Sequence, residues 1–298
     1  MKILISGGSG LVGSSLIQKL KERGHEINIL VRENKGNPNE FLWNIKTQEI
    51  NEKAFENIDT IIHLAGASIG KRWTKSYKKE IISSRIDSAK LLLDTAKKLN
   101  IHLKSFISAS GINYYGTFTS DKILSEKDGI LHQDFLSEVC EKWENAAKEF
   151  GEISDRIVCV RTSPVLSKNG GSFQHLKKIT DFNLASGIGN GKQWFNWIHL
   201  DDLVEIYIKA VENITMNGAY NAVSDEIPKT KVFMKKLAKA SEKLFIPINI
   251  PEFLVNIATG EMGEMVLEGT RISNEKIKSE GFEFQFPDLD SALRDLIF

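Results

Sequence analysis

The stretch ISGGSGLVGSSL, residues 5–16, constrains the fold of this chain more than any other. It places Gly7, Gly10 and Gly13 directly after the apolar run KILIS (2–6) and at the start of a helical pattern. There Gly7 can supply a tight turn, Gly10 lets the backbone approach a pyrophosphate, and Gly13 allows close packing of helix on sheet. Free N–H groups and the helix dipole favour an anion. The motif predicts a dinucleotide-binding loop, although glycines used only for a turn would give the same spacing.

Apolar runs alternate with helical patterns through the rest of the first half. The runs with strand character are INILV (27–31), TIIHLA (60–65), SFISAS (105–110) and RIVCVR (156–161). Helical patterns separate them, and the longest runs from about Thr74 to Leu99. This alternation predicts an α/β fold of Rossmann type, a doubly wound parallel sheet with helices on both faces.

The alternation loosens after Leu166 into the glycine-rich segment 186–203. GAYNAV (218–223) is the last predicted strand of the sheet, and several helical patterns follow it. The sequence therefore predicts a nucleotide-binding domain over 1–220 and a smaller carboxy-terminal substrate lobe over 221–298.

Composition narrows the classes of partner. Basic and acidic residues both total 39, so no net field attracts nucleic acid or an anionic membrane. The basic run KRWTKSYKKE (71–80) is interpreted as a solvated face, or as one whose cations reach a phosphate. The two cysteines, Cys140 and Cys159, give neither a disulfide framework nor a metal site. With no long apolar segment and only a short apolar run before Gly7, the chain is expected to be cytoplasmic.

The choice of cofactor depends on LVREN, residues 30–34. Arg32 lies where a guanidinium can pair with a 2′-phosphate, which predicts NADP. Glu33 would favour the unphosphorylated cofactor if the strand ended one residue later, and Arg32 as an ordinary surface residue is the remaining alternative.

Further fragments carry a resemblance to a known family. HLAGA (63–67), SASGINYYG (108–116) and NWIHLDDL (196–203) follow the glycine motif in order. The more specific fragments are RWT (72–74), SSR (83–85), FLSEVCEKWE (135–144), YNAV (220–223) and LEGTRI (267–272). With these, the chain resembles the atypical, epimerase-like branch of the extended short-chain dehydrogenase/reductases from end to end. Residues 249–296 resemble that family's small domain of unknown function.

The glycine motif and the resemblance together predict a set of cofactor-binding positions on the loop, the strand ends and the following helix. These are Gly7, Ser9, Gly10, Leu11, Val12, Gly13, Val31, Arg32, Leu64, Ala65, Gly66, Glu80, Arg85 and Pro164. Pro164 matches the family position that lies against the nicotinamide.

The resemblance also shows which catalytic residues are missing. Catalytic members use a tyrosine, a lysine, a serine and an asparagine as one group that relays protons and orients the cofactor. Here Leu136 stands in place of the tyrosine, Cys140 of the lysine and Arg85 of the asparagine, whereas Ser110 matches the serine. Leucine has no proton to exchange, and a cysteine cannot replace an ammonium. The usual mechanism is therefore excluded.

Three residues remain as catalytic candidates: Ser110, Arg85 and Cys140. We expect Ser110 to polarise a substrate carbonyl and Arg85 to hold the cofactor ribose, with Glu80 accepting a hydrogen bond from the ligand and the proton coming from water. The alternatives are an ordinary buried position for Cys140, and a surface ion pair of Arg85 with Asp87 or Glu80.

Other polar aromatic residues are interpreted mainly as pocket walls or core. Tyr114 and Tyr115 follow Ser110, and His199 lies in the segment 186–199 beside two aspartates. A proton-transfer role is the alternative for each.

Two functions follow from the sequence. The first is an NADP(H)-dependent oxidoreductase or epimerase-like enzyme acting on a small molecule, with a nucleotide-linked sugar implied by the resemblance alone. The second is a non-catalytic protein that senses NADPH or scaffolds a partner. The pocket-like segment 186–199 favours the enzyme, and the loss of the tyrosine and lysine favours the sensor.

Overall fold

The computed structural model describes residues 1–298. The strands are β1 (Lys2–Ser6), β2 (Glu26–Val31), β3 (Glu40–Asn44), β4 (Glu49–Ile50), β5 (Thr60–His63), β6 (Ser105–Gly111), β7 (Ser120–Leu124), β8 (Ile157–Thr162), β9 (Val165–Ser167), β10 (Ala185–Ile188), β11 (Ile198–His199), β12 (Gly218–Ala222), β13 (Phe245–Ile250) and β14 (Thr270–Ile272). The helices are α1 (Leu11–Glu22), α2 (Lys75–Lys98), α3 (Phe135–Lys148), α4 (Gly171–Asp181), α5 (Leu200–Glu212), α6 (Thr230–Ala240), α7 (Glu252–Thr259), α8 (Glu264–Leu267), α9 (Glu275–Ser279) and α10 (Leu289–Ile297). Short 3-10 turns follow β4, β6, α3 and α7.

Eight strands form the central sheet, in the order β12-β8-β6-β5-β1-β2-β3-β4. β1 pairs in parallel with β2 on one side and β5 on the other, and β2/β3 and β5/β6 are also parallel. The predicted Rossmann-type α/β fold is confirmed. β3 and its antiparallel neighbour β4 were not predicted, because Trp43 is the only buried side chain of β3 and the segment shows no strand alternation.

Alternating side chains cover both faces of this sheet. Leu4, Ile61 and Phe106 share one core cluster with apolar residues of α2 and α3. Their neighbours Ile3 and Ile5 are equally buried, and they point to the opposite face because successive strand residues alternate. The sheet is therefore buried on both sides, as a parallel sheet requires.

Local signals explain the ends of the long helices. The Thr74 hydroxyl accepts a hydrogen bond from the Tyr77 N–H and begins α2, which ends at Lys98 with Leu99 as its C-cap. α1 ends at Glu22, and Gly24 has the positive φ of 80° that favours glycine at this place. These boundaries lie within one residue of the predicted ones.

The chain forms two compact units, and neither is continuous in sequence. The first comprises 1–111, 138–161 and 204–220. The second comprises 112–137, 162–203 and 221–298. The second unit therefore takes in two segments that precede residue 220, and the predicted division into 1–220 and 221–298 stays a prediction.

The second unit has a core of its own. Leu166, Phe173 and Trp197 cluster with apolar residues of α6 and α10. Three two-stranded parallel pairs, β7/β14, β9/β11 and β10/β13, accompany this core. The apolar run 244–255, whose structure the sequence left open, divides at Pro251 into β13 and α7. No helix of the chain is both long enough and apolar enough to cross a membrane.

We predict that Gly13→Ala destabilises the protein although alanine is the better helix former. A Cβ at position 13 would lie 2.4 Å from the Gly7 carbonyl oxygen and 2.8 Å from the Gly8 Cα. Both neighbours are backbone atoms, so relief requires moving the loop or the helix. Overpacking of this kind costs about 1–3 kcal/mol, which urea unfolding monitored by circular dichroism would measure.

Gly151→Ala is the matched control, because a Cβ there would meet nothing closer than 3.8 Å. We expect the control to unfold as the unaltered protein does. Equal stability of the two variants would contradict the close packing described here.

Candidate active site

The glycine loop lies where the strand order of the sheet reverses. β2 and β5 flank β1 on opposite sides, so the order of the strands reverses at β1, the place where ligands bind at the carboxyl ends of strands in doubly wound sheets. Gly7 follows β1 with φ of 78°, and a Cβ there would lie 2.7 Å from the Leu64 carbonyl carbon and 2.8 Å from the Ala65 nitrogen. Only glycine, which has no Cβ, fits at position 7. The predicted positions Gly7, Leu64 and Ala65 are thus in direct contact.

Backbone amides at the start of α1 face the same loop. Gly10 is the N-cap of α1 and supplies no side-chain cap, while its own N–H bonds to the Gly7 carbonyl at 3.1 Å. The amides of Leu11, Val12 and Gly13 have no acceptor within the chain. Ser9 and Gly10 are exposed. The loop therefore offers uncapped donors at the positive end of a helix dipole, the arrangement that suits a pyrophosphate.

Arg32 follows the last residue of β2, Val31. Its side chain is exposed and makes neither a hydrogen bond nor an ion pair within the chain. Glu33 is also exposed. The strand ends before Arg32, which leaves this guanidinium as the first charged group beyond the strand.

A buried ion pair lies under Ser110, at the end of β6. Arg161 donates from Nε to one carboxylate oxygen of Glu144 at 2.7 Å and from Nη2 to the other at 2.9 Å. Ser110 Oγ donates to Glu144 Oε1 at 2.8 Å. All three side chains are buried. The carboxylate therefore accepts three hydrogen bonds, which offset the cost of burying its charge.

This geometry corrects the expected role of Ser110. A carboxylate paired with arginine can only accept, so the single hydroxyl proton of Ser110 is directed to Glu144. The Ser110 oxygen retains lone pairs and can accept a hydrogen bond from a ligand. It is not set to polarise a carbonyl by donating one.

Arg85 is buried rather than at the surface. Its Nη1 donates to the carbonyls of Ile81 at 2.8 Å and Ala67 at 3.2 Å, and its guanidinium lies 4.6 Å from the ring centroid of Trp143. A Cβ on Gly66 would lie 2.9 Å from Arg85 Cζ. The cation is thus held between an indole face and a glycine, and the alternative of a surface ion pair is wrong.

Three of the five N–H donors of Arg85 are left over, because only Nη1 has acceptors in the chain. The unpaired Nε is buried. Burial also lowers the pKa of Arg85, although a guanidinium stays charged at any physiological pH. The side chain can therefore present a fixed charge with unused donors.

Glu80 does not act together with Arg85. The two residues are five positions apart on α2, which places them about 140° apart around the helix axis. Glu80 is exposed and Arg85 is buried. The two side chains therefore lie on different sides of α2, and the predicted hydrogen bond from a ligand to Glu80 stays a prediction.

Cys140 is enclosed in the same unit. Burial raises the pKa of its thiol to about 12, and the nearby Glu144 carboxylate adds to the effect. The thiol is protonated at neutral pH and is not a nucleophile there. The geometry favours the ordinary buried position over the reactive thiol.

His63, the last residue of β5, is a buried imidazole of this unit. Ser6 Oγ lies 2.7 Å from its Nδ1, and the Arg85 carbonyl lies 3.4 Å from its Nε2. Because that carbonyl can only accept, the ring proton lies on Nε2 and Nδ1 accepts from Ser6. Burial lowers the pKa of His63 to about 4, so the ring is neutral at pH 7. It fixes the backbone of α2 behind Arg85.

Several other predicted residues belong to the second unit. Pro164 is exposed, and its carbonyl accepts a hydrogen bond from the Ile198 N–H. Leu136 is buried in the first turn of α3. Tyr115 is buried and donates to Asn221 Oδ1 at 2.9 Å. His199 is buried, its Nε2 lies 3.4 Å from Asp295 Oδ2, and burial lowers its pKa. Tyr115 and His199 thus have structural partners.

The second unit also gathers two cations on one aromatic ring. Lys229 Nζ lies 4.8 Å and Arg271 Cζ 4.9 Å from the ring centroid of Trp194, whose indole nitrogen donates to Asp121. Neither cation forms an ion pair, and Arg271 Nε is buried without an acceptor. The cluster therefore holds two cations on the ring face and one carboxylate, Asp121, at the ring nitrogen.

Sequence reasoning missed Glu144, Arg161 and Trp143 as parts of this site. A signal was present in RIVCVR, where Arg161 interrupts an apolar strand and needs a buried partner. No comparable signal marked Glu144, because a glutamate in a helix is ordinarily exposed. No group of three or more His, Cys, Asp or Glu side chains is placed to hold a metal ion.

Comparison with known proteins decides the family. Residues 3–222 match the NAD dependent epimerase/dehydratase family, and residues 250–296 match a domain of unknown function, DUF1731. The chain belongs to the NAD dependent epimerase/dehydratase family. This membership confirms the resemblance seen in the sequence. An epimerase family protein of Staphylococcus saprophyticus is 33% identical over 297 residues, which cover 99% of this chain and 98% of the relative.

Two solved epimerase-like structures are similar over the whole chain. The human epimerase family protein SDR39U1 (isoform 2), determined with NADPH, is 28% identical with a TM-score of 0.89, covering 100% of this chain and 99% of that one. A nucleoside-diphosphate sugar epimerase from Corynebacterium glutamicum is 26% identical with a TM-score of 0.82, covering 100% of this chain and 58% of that one.

We predict that the unfolding free energy of this protein depends on pH because the buried His63 is neutral. The folded pKa of about 4 lies below the ordinary value of 6.5, so the unfolded chain takes up the proton first as the pH falls. The stabilisation is complete above pH 6.5 and is lost toward pH 4. The unfolding free energy of both proteins is compared at about pH 7 and pH 4.5. Over this change we expect the unaltered protein to lose roughly 2 kcal/mol more than the His63→Gln variant does.

Urea unfolding of both proteins at the two pH values measures the difference. The exposed His102 supplies the control His102→Gln, which should keep the full pH dependence. An identical pH dependence for His63→Gln and the unaltered protein would contradict a neutral buried imidazole.

Proposed function

We propose that this protein is an NADP(H)-dependent, epimerase-like oxidoreductase that acts on a small molecule. The observation that carries the proposal is the glycine loop, whose bare amides lie at the reversal of strand order with an unpaired Arg32 beyond β2. These features fit the pyrophosphate and the 2′-phosphate of one dinucleotide.

The selection of NADP over NAD is attributed to Arg32. A free guanidinium can pair bidentately with a phosphate and stack on an adenine face. No acidic side chain, which would favour the unphosphorylated cofactor, precedes Arg32 at the strand end. The human relative of known structure was determined with NADPH, which supports the same cofactor here.

A bound nicotinamide would supply hydride, and the chain's own residues would supply positions and charge. We assign Arg85, with its unused buried Nε, to a ligand hydroxyl or carbonyl oxygen, and Ser110 Oγ to a ligand donor. Leu136 and the protonated Cys140 exchange no proton at neutral pH. The proton for any reduction then comes from water.

A phosphate-bearing substrate is the class we favour. Lys229 and Arg271 on Trp194 offer two cations without an ion-pair contact beside an aromatic ring, which suits a nucleotide diphosphate. The similar Corynebacterium glutamicum protein is a nucleoside-diphosphate sugar epimerase, which supports a nucleotide-linked sugar.

The second candidate function is a non-catalytic NADPH sensor. The specific observation in its favour is that the hydroxyl of Ser110 is directed to Glu144 and the thiol of Cys140 is buried and protonated. The first unit then binds the dinucleotide without offering it an acid or a base.

Arg32→Ala should remove the preference for NADPH. Loss of hydrogen bonds to a charged group of this kind costs about 1.5–3 kcal/mol, equal to roughly a tenfold to hundredfold weaker NADPH binding with NADH binding little changed. Calorimetric titration of both cofactors provides the measurement.

Arg294→Ala is the matched control, since Arg294 is an exposed arginine of α10 in the other unit. The control should retain the preference of the unaltered protein. Equal affinities of the unaltered protein for NADPH and NADH would contradict the assignment of Arg32.

Deuterium transfer separates the enzyme from the sensor. The protein is incubated with NADPH deuterated at the nicotinamide C4 and with a panel of nucleotide-linked keto sugars and simple carbonyl compounds, and the products are analysed by mass spectrometry. We expect deuteride transfer to the carbonyl carbon of a nucleotide-linked keto sugar, and little change of the rate in Cys140→Ser because the thiol is protonated.

Tight NADPH binding without transfer to any compound would favour the sensor. Loss of transfer in Cys140→Ser with unchanged NADPH affinity would show that the thiol takes part, contrary to the assignment made here.

A further inference from the structure

Three arginines of the first unit are buried, and the chain offsets the charge of two of them. Arg161 pairs with the Glu144 carboxylate at 2.7 Å. Arg156 donates to the Val211 carbonyl at 3.0 Å, in the last turn of α5, where the helix dipole is negative. Arg85 lies in the middle of α2 and bonds only to neutral carbonyls. Its charge is therefore buried without a counter-ion in the chain, which is costly.

The groups around Arg85 are neutral at pH 7. The ionisable side chains that interact with it are Cys140 and Tyr77. Burial raises the pKa of the Cys140 thiol to about 12, and the Tyr77 hydroxyl keeps its proton and donates it to the Ser68 carbonyl at 2.6 Å. The His63 ring beside the Arg85 carbonyl is neutral as well. A water molecule can accept from an unpaired N–H but brings no negative charge. A counter-ion for Arg85 therefore has to come from a bound molecule.

The unused donors of Arg85 lie on one edge of the guanidinium. Nη1 donates to the carbonyls of Ile81 and Ala67, at 2.8 Å and 3.2 Å. Nε and Nη2 have no acceptor in the chain, and Nη2, unlike Nε, is not enclosed. In a guanidinium the Nε–H and one Nη2–H point in the same direction. These two donors form a fork that fits two oxygens of one group.

The flat faces of the same guanidinium are in contact with Trp143 and Gly66. Arg85 Cζ lies 4.6 Å from the centroid of the Trp143 ring. A Cβ on Gly66 would lie 2.9 Å from Cζ and 3.1 Å from both Nη1 and Nη2. A position in the plane between the two nitrogens would be closer to them than to Cζ, so Gly66 lies against a face and not at an edge. A ligand therefore reaches Arg85 in the plane of the guanidinium.

The fork lies in the same part of the first unit as Ser110. The Cys140 thiol interacts with the Arg85 guanidinium, and it also forms a hydrogen bond with the backbone of Gly111, the residue after Ser110. The Arg85 fork and the end of β6 are therefore neighbours of the same thiol. The class of ligand that fits the fork bears on the substrate of the function proposed above.

We propose that the substrate carries a carboxylate group, whose two oxygens accept hydrogen bonds from Nε and Nη2 of Arg85, an assignment that rests on the function proposed above. It narrows the ligand at Arg85 from a single oxygen to the pair of oxygens on one planar anion. A carboxylate matches the fork in charge and in shape. A tetrahedral phosphate extends above and below the plane, where Trp143 and Gly66 lie. The carboxylate serves for binding and is unchanged by the reaction.

Nitrogen-15 NMR of the arginine Nε–H groups tests this proposal in the full chain, with and without NADPH. The Arg85 Nε–H is buried, so it exchanges slowly and gives its own resonance. Acetate should shift this resonance with a Kd on the order of 1–10 mM. Acetamide has the same shape without the charge and should not shift it. Arg161 Nε already donates to a carboxylate, so its resonance serves as an internal reference that acetate leaves unchanged.

Arg85→Lys keeps the charge and removes the fork. It should weaken acetate binding about tenfold to hundredfold, followed through the backbone amides of Gly66 and Ala67. Circular dichroism checks the fold of this variant, and the resonance of the unaltered protein gives the result without it. Arg294→Lys is the matched control at an exposed arginine of the other unit, and it should bind acetate as the unaltered protein does.

Three outcomes would overturn the proposal. The first is no saturable shift with acetate up to about 100 mM. The second is an equal or larger shift with acetamide or inorganic phosphate. The third is a shift by NADPH alone that blocks acetate, which would show that the cofactor takes the fork. None of these touches the proposed function, because deuteride transfer to a keto sugar without a carboxylate would still show an oxidoreductase. Acetate binding at Arg85 with no transfer to any compound would contradict the proposed function and leave the carboxylate site standing.

Discussion

The close approach of Gly7 to the backbone leaving β5 is the constraint on which the nucleotide half depends. A Cβ at Gly7 would lie 2.7 Å from the Leu64 carbonyl carbon, and one at Gly13 would lie 2.4 Å from the Gly7 oxygen. The ends of β1 and β5 and the start of α1 can meet only without side chains. The same absence of side chains leaves the amides at the start of α1 without a cap. The glycines therefore serve both the close packing and the donors that suit an anion.

Behind that loop, the first unit satisfies its buried charges internally. Glu144 accepts from Ser110 and from both donors of Arg161, and Arg85 is held by two carbonyls and the Trp143 ring. Removing one member of such a group leaves another charge buried without a partner, which is strongly destabilising. This network therefore fixes the positions of Ser110 and Arg85, and it uses the hydroxyl proton of Ser110 and two of the five N–H donors of Arg85.

The features predicted correctly from the sequence are those set by local physics. The alternation of strands and helices, the start of α2 near Thr74 and the glycine turn each depend on residues a few positions apart. The Glu144 and Arg161 pair depends on a helix and a strand meeting in space, and each residue alone has several possible environments. The run 244–255 has apolar residues at both strand and helix spacings, so periodicity did not divide it at Pro251.

The side of α3 that carries Leu136 and Cys140 is ordered by packing and exchanges no proton at neutral pH. Leu136 and Cys140 are buried on the same side of α3, four residues apart, and extend its apolar contacts. The glycine loop that precedes them in the chain depends on close backbone contacts instead. The geometry of the loop and the chemistry of α3 are therefore set by different residues, so a substitution at one does not require a change at the other.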